Sequence, residues 1–552
     1  MMQALLSATL DAASSYAGKT LAERVAGRFY TPDILATDLA RRLVEALIKS
    51  SRTFELSRVL RVCDPFCGDG RLVSAFFAAV SERPELFSRR WVVTLRDIEA
   101  DAARAAGRRL KEFSRALGLE AEVRVSVGDS FSQGSPALHD VVVTNPPWEL
   151  LKPDSRELAQ LSEKAKAAHR RSLRELCDVL DARFPNARAN NAWGGWGTNL
   201  ARCGWELALR SCFPGGVLGI VLPSTIMADQ ASANMRRSVF GRSTLVDLAT
   251  YPPEARLFSR VDQPVVVATF VVTPPAFGID AKIRTFNLER SIQKEGQLKL
   301  SESQLSAQDY ALPVSFAPDS AELIAGLSSF PRFSDLEGGN GSNLWAGREL
   351  DETRILEKTV PGHRYPFIKG RMIHRHQVSE LPRLSVRASL VKGFHSIAFE
   401  RIVWRDVARS SQGRRMIGAI IPPGWVAGNS LHVTYFRDGD PQRLRALYAV
   451  LSSLIFEFQV RSRLATGHMS LGIVRLARVP LLSGRTLSDL AKATETILWK
   501  GEDDANLEVA AARAYGLTRE QFAEIIAHFP KLDIGKREAM LAAPLWPRKN
   551  RK

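Results

Sequence analysis

The sequence predicts a doubly wound α/β domain, followed by a mixed α/β region and C-terminal helices. Three observations lead there. Between residues 33 and 272, short apolar runs alternate with longer amphipathic stretches. Such runs read as buried parallel strands linked by crossover helices. Several of them end in Gly-, Asp- or Pro-containing turns. From about residue 441, helical periodicity returns without intervening strands.

Taken in order, residues 1–27 read as an N-terminal helix. Pro32 opens a helix that places Ile34, Leu35, Leu39, Leu43, Val44 and Leu47 on one face. The strands expected next are 59–62, 91–95, 123–127, 141–144, 217–222 and 264–272. LVSAFFAAV and DIEADAARAAGRRLKEF supply the first two crossover helices. A charged helical stretch, about 149–192, reads as an insertion. The catalytic-type domain is thus expected over 28–275, with a connector over 276–340. A recognition-type domain follows over 341–490, then a helical region and basic tail over 491–552.

Composition excludes several classes. An apolar fraction of 45% with 24% charged residues is that of a globular protein rather than a disordered one. No run reaches the ~18 apolar residues that a membrane span requires. The first residues lack the basic start of a signal peptide, so the chain is expected in the cytoplasm. The five cysteines show no CxxC spacing, and no metal site is expected. Lys and Arg total 76 against 59 Asp and Glu, giving +17 and pointing to a polyanionic partner. Residues 341–440 alone carry 16 Lys and Arg against 9 Asp and Glu, interleaved with Trp345, Tyr365, Trp404 and Trp425.

Four turns carry the chemistry. Asp64-Pro65-Phe66-Cys67-Gly68-Asp69-Gly70 falls between a strand and a helix, where glycines let backbone approach a ligand closely. Asp97-Ile98-Glu99 ends the next strand, where a carboxylate can accept hydrogen bonds from both ribose hydroxyls. Gly128-Asp129-Ser130 ends the third. Three such turns in succession suggest a nucleoside-bearing cofactor, although each alone reads equally as an ordinary turn. Thr144-Asn145-Pro146-Pro147-Trp148 then follows a buried strand. The Asn145 side chain and the Pro146 carbonyl form an acceptor pair for an amino group with two N–H bonds. Trp148 adds a flat face on which a base can stack. The plainer reading of this turn is a strand terminator with a core Trp.

Asp-Pro-x-Cys-Gly-x-Gly followed by Asn-Pro-Pro-aromatic resembles the amino-methyltransferases that use S-adenosylmethionine. Gly27-Arg28-Phe29-Tyr30-Thr31-Pro32 resembles that family's Phe-Tyr-Thr-Pro element. Its place ahead of the glycine loop is similar to the gamma arrangement of DNA N6-adenine methyltransferases of restriction-modification systems. WGTNL, GVLGIVLPST and NMRRSVF resemble the end of that group's catalytic domain. YPFIKGRMI, RIVWRDVARSSQGRRMIGAIIP and LSSLIFEFQVRSRLATGHMS resemble target-recognition regions of type IIG proteins, and AYGLTREQF their C-terminal helix.

The resemblance implies a Rossmann-like methyltransferase domain and S-adenosylmethionine as cofactor. Tyr30, Thr31 and Pro32 would lie near its methionine group, and Asp64, Pro65, Gly68 and Gly70 around its amino-acid part. Asp97 would hold the ribose, Ile98 would cover the adenine, and Asp129 would meet the adenine amino group. Asn145, Pro146, Pro147 and Trp148 would form the catalytic element, acting on an adenine flipped out of double-stranded DNA. A separate restriction nuclease or defence subunit is a further candidate partner. Few residues precede Gly27 and no Asp…Glu-x-Lys spacing stands out, so methylation without cleavage is expected. The alternatives are an RNA or protein-glutamine methyltransferase, and a weakly catalytic DNA-recognition subunit of a defence complex.

Overall fold

The computed structural model describes residues 31–50, 59–134, 136–153, 158, 161–190, 197–258, 263–312, 318–337, 343–352, 359–408, 412–464, 468–500 and 505–546. The expected N-terminal helix, Tyr30 and the basic tail lie outside them. The chain divides into two compact units, Met1–Ala325 and Gly326–Lys552.

The first unit is built on a nine-stranded sheet. Its strands are β1 (Val59–Asp64), β2 (Arg90–Asp97), β3 (Ala121–Val127), β4 (His139–Thr144), β5 (Cys212–Pro223), β6 (Thr244–Tyr251), β7 (Val265–Val271), β8 (Ile279–Phe286) and β9 (Ile292–Leu300). Their order in the sheet is β9-β8-β6-β7-β5-β4-β1-β2-β3. The strands from β3 to β5 run parallel, whereas β7 is antiparallel to both of its neighbours.

Both faces of the sheet are covered, as its sequence pattern requires. Helices α1 (Asp33–Lys49), α2 (Arg71–Ser81) and α3 (Ala100–Leu117) cover one face. Helices α4 (Glu163–Arg183), α5 (Leu200–Arg210) and α6 (Ala233–Arg242) cover the other. Period-2 alternation divides a single strand between the two cores: Val141 and Val143 join the first, Val142 the second. On α1, Leu35, Leu39, Leu43 and Leu47 are almost wholly buried. Each such leucine contributes about 1.5–3 kcal/mol.

The structure adds detail to the sequence reading at three points. The expected connector 276–340 supplies β8 and β9, because Ile279, Ala281 and Ile283 alternate with polar residues and bury one strand face. Arg284 of β8 pins this extension through paired bonds to Asp38 of α1 (2.6 and 2.8 Å) and a 3.1 Å bond to Asp247 of β6. The sheet is largely parallel as expected, but β7 and β9 run antiparallel to their neighbours. Strand β6 was not anticipated, since TLVDLATY carries a charge in its middle.

The second unit holds a four-stranded antiparallel sheet of β10 (Leu344–Gly347), β13 (Arg401–Arg405), β14 (Gly418–Ile421) and β16 (Leu431–Phe436), in the order β10-β16-β13-β14. A smaller sheet joins β11 (Tyr365–Ile368), β12 (Leu384–Val386) and β15 (Val426–Ala427). Helices α7 (Pro441–Ser452), α8 (Leu454–Arg461), α9 (Gly484–Lys500), α10 (Ala505–Ala514), α11 (Arg519–Ala527) and α12 (Ile534–Ala542) complete it. Trp404 is buried in this unit, so it is part of the framework rather than an exposed stacking face. Among the described residues, no helix is long and apolar enough to cross a membrane, and no cluster suits a metal ion. All five cysteines are buried free thiols.

Candidate active site

Strands β1 and β4 are parallel neighbours with Cys63 beside Val142, so their carboxyl ends open side by side. Asp64 ends one and Thr144 the other. The Thr144 hydroxyl donates to Asp64 Oδ1 at 2.8 Å, and the Phe66 N–H donates to the same oxygen at 3.0 Å. Asp64 Oδ2 is buried without a partner. Burial pushes the Asp64 carboxyl up to about 7, and the charges of Asp97 and Asp69 add to the rise.

The glycine loop needs its glycines for stated reasons. Gly68 and Gly70 have φ of +50° and +78°. A Cβ on Gly70 would stand 3.0 Å from the Ala106 Cβ on α3. Asp97 holds this loop to β2: Oδ2 accepts from the Gly68 N–H at 2.8 Å and Oδ1 from the Glu99 N–H at 3.0 Å. Both oxygens are therefore already engaged with the backbone, and the lone pairs that remain are what a ribose would meet. Ile98 beside it is 43% exposed, an apolar face at the rim of the crevice.

At the next turn, Asp129 Oδ1 accepts from the Phe131 N–H at 2.9 Å, while Oδ2 is buried without a partner. Burial raises this carboxyl too. Arg96 donates to the carbonyls of Gly128 (3.1 Å) and Asp129 (3.3 Å) and fixes the turn.

Asn145 is the centre of the arrangement. Its Nδ2 donates to the Thr31 hydroxyl at 3.2 Å, which sets the amide's orientation, and its Oδ1 is left buried without a partner. Thr31, Asp64, Gly68, Arg71 and Asn145 line one pocket. Pro146 is buried against α5, where a Cβ on Gly204 would lie 2.3 Å from the Pro146 Cβ. Pro147 is half-buried. So is Trp148, whose ring meets Phe258 edge to face at 5.0 Å and whose Nε1 is buried without a partner. The structure thus gives Trp148 a packing role as well as a place beside the acceptor. Pro32 and Pro65 act through their carbonyls. Pro32 accepts from Leu35 and Ala36 to start α1, and Pro65 accepts from the Ser130 hydroxyl.

Two residues, Arg71 and Gly204, escaped the sequence reading, and Thr144 entered it only as part of a motif. Arg71, the first residue of α2, reaches into the pocket and donates to the Thr31 carbonyl (3.3 Å) and to Asp69 (3.0 Å). A cation beside a helix N-terminus is a mark of anion binding, and its place next to the glycine loop was the available signal. Thr144 orders Asp64. Gly204 allows α5 to close on Pro146, and only the fold reveals it.

No protein-family model matches the chain, and no curated protein matches it in sequence. Among solved structures, the type IIG restriction endonuclease BpuSI is 14% identical over 91% of this chain and 66% of its own, with a TM-score of 0.42. The type IIL restriction-modification enzyme MmeI in complex with DNA is 11% identical over 92% and 75%, at 0.45. A putative class I S-adenosylmethionine-dependent methyltransferase from Listeria monocytogenes is 13% identical over 51% and 72%, at 0.31. The chain therefore spans about two thirds of BpuSI. The fold itself follows from the strand order and the helices on both faces: a doubly wound, Rossmann-like α/β unit, followed by a mixed α/β unit with C-terminal helices.

Proposed function

We propose that the chain is a site-specific DNA methyltransferase of a restriction-modification or phage-defence system, acting on the N6 amino group of adenine with S-adenosylmethionine as donor. The observation that carries this reading is the Asn145 amide. Its nitrogen is held by Thr31 while its oxygen stays bare and buried, in the same pocket as the glycine loop.

The residues present suit the cofactor. A pocket with a bare Asp64 oxygen and the Arg71 guanidinium can hold an ammonium and a carboxylate, the two charged groups of a free amino acid end. Asp97, Ile98 and Asp129 would hold the nucleoside end. The cofactor supplies a methyl group already activated on a sulfonium, so the protein's task is positioning.

Asn145 Oδ1 and the Pro146 carbonyl accept the two amino hydrogens of the target base. This draws the nitrogen toward tetrahedral geometry and turns its lone pair away from the ring. Trp148 offers the flipped base a stacking surface, an interaction of about 1–3 kcal/mol that offsets part of the cost of flipping. Gly204 lets α5 close behind Pro146 and keeps water away from its rear.

The test is transfer of a tritiated methyl group by the full chain to DNA, RNA and protein offered separately. Label on DNA adenine, lost in Asn145→Ala, is expected. Label confined to RNA or protein, or near-normal turnover in the variant, would overturn the assignment.

A further inference from the structure

One end of the four-stranded sheet in the second unit gathers three polar side chains around a single carboxylate. Gly347 of β10 pairs with Val433 of β16, and Arg405 of β13 pairs with Leu431. Arg348 and Asp406, the residues that follow β10 and β13, therefore emerge together, beside His432 of β16. Asp406 Oδ1 accepts from His432 Nε2 at 2.8 Å and also meets the Arg348 guanidinium at 3.1 Å. Its Oδ2 meets His468 Nδ1 at 3.3 Å.

The backbone of Asp406 is clamped on both sides. Its N–H donates to the Ser430 carbonyl at 3.0 Å, and its own carbonyl accepts from the Met469 N–H at 2.6 Å. Beneath it, His432 is buried against the Trp404 ring at 5.4 Å. Above it, the side chains of Arg348 and His468 are 46% and 61% exposed.

Exposed ion pairs contribute little to stability, so the pairing explains a held geometry better than a stabilised fold. A carboxylate fixed from below draws one nitrogen of the guanidinium to a set place and narrows the directions open to the rest. The remaining N–H groups of Arg348 are then kept at this end of the sheet, where a ligand can meet them. Carboxylate charge beside them disfavours phosphate, which is an anion. It does not disfavour a neutral base edge. The major-groove edge of guanine presents two acceptors, O6 and N7, at the spacing of a guanidinium fork.

We infer that Arg348 reads a guanine in the DNA target and that Asp406, braced by His432, is the positioning residue that aims it, with His468 beside it on the same carboxylate. This rests on the DNA-modifying role proposed above.

The experiment uses the full chain and a DNA library with randomised sequence, selecting bound molecules and, in parallel, mapping methylated adenines by single-molecule sequencing. The wild type is expected to enrich a sequence containing a required guanine. Arg348→Ala should lower discrimination at that one position about ten- to hundred-fold and leave the other positions unchanged. Arg348→Lys should fail to restore it, because an ammonium is a point charge rather than a fork. Asp406→Asn should relax the same position less severely. Equal weakening on every sequence, with a shallower salt dependence, would mark Arg348 as a phosphate contact and overturn the inference. An unchanged motif in Arg348→Ala, or no enriched sequence for the wild type, would overturn it as well. Enrichment without methylation would leave the guanine reader standing and remove the methyltransferase reading, so the two failures are distinct.

Discussion

A carboxylate cluster in the second unit and the strand-end carboxylates of the first are held in opposite ways. In the second, Glu457 and Glu508 are fully buried and every oxygen is engaged. Glu457 accepts from Arg414 (2.9 Å), Arg461 (2.8 Å) and the Arg415 N–H (2.6 Å), and Glu508 from Arg414 (2.8 Å), Arg375 (3.2 Å) and the Leu454 N–H (2.7 Å). Burial pushes the Glu457 carboxyl up, yet its arginines pull it below the usual carboxylate range. In the first unit, Asp64 is as deeply buried, keeps one bare oxygen, and is pushed up to about 7. Asn145 and Asp129 at other strand ends of the same sheet likewise keep bare oxygens. Away from those ends the same unit also holds paired buried charges, as at Arg284, Asp38 and Asp247. A buried polar atom left unpaired costs about 1–3 kcal/mol, so a cluster of them marks where a ligand completes the structure.

The comparison can be broken at its strongest point first. Glu457→Ala leaves Arg461 without its carboxylate and Arg414 with Glu508 alone, and should destabilise the protein by about 3–5 kcal/mol in denaturant unfolding. Cofactor affinity of the folded fraction should be unchanged. A loss below 1 kcal/mol would show that the network is ornamental.

Asn145→Ala should behave in the reverse manner. Removing one oriented acceptor is expected to lower turnover about 10²–10³-fold with little change in melting temperature and at most a few-fold change in cofactor Kd. A variant that simply unfolds would place Asn145 with the framework instead.

Asp97→Ala lies between the two, because Asp97 is paired to the loop that it presents. Losing its charged acceptors should weaken cofactor binding by about 1.5–3 kcal/mol, read by calorimetry. Turnover at saturating cofactor should be retained, and an equal fall in kcat would mean that Asp97 also aligns the reacting groups.

The smallest effect is a pH dependence. Asp64 is raised in the folded state, so the stability it contributes is fully present below its ordinary value of 3.8 and is lost as the pH rises through about 7. The cofactor-free protein should therefore melt at lower temperature at pH 8 than at pH 5, and Asp64→Asn should flatten that difference. A cationic ammonium favours the ionised carboxylate, so wild-type cofactor affinity should climb across the same range. An unchanged pH profile in the variant would assign the effect to another group.

Much of this molecule was legible in the chain alone, and for a local reason. Apolar runs bounded by Gly, Pro and Asp marked β1 to β5 and β7, and the leucine spacing after Pro32 marked α1, because element type is encoded in side-chain periodicity over a few residues. The turns at Asp64, Asp97, Asp129 and Asn145 were visible for the same reason. What the tertiary structure decided is partnership. Strand β8 looked like connector until its backbone paired with β6 and its Arg284 reached Asp38 of α1. Asp97 looked like a free ribose acceptor until the Gly68 loop folded onto it. The Asn145 oxygen is bare only because Thr31, 114 residues away in sequence, takes the nitrogen. Pro146 finds its place only because Gly204 lacks a Cβ. Hydrogen bonds and close packing join residues far apart in the chain, and local periodicity carries no record of which distant residue will arrive.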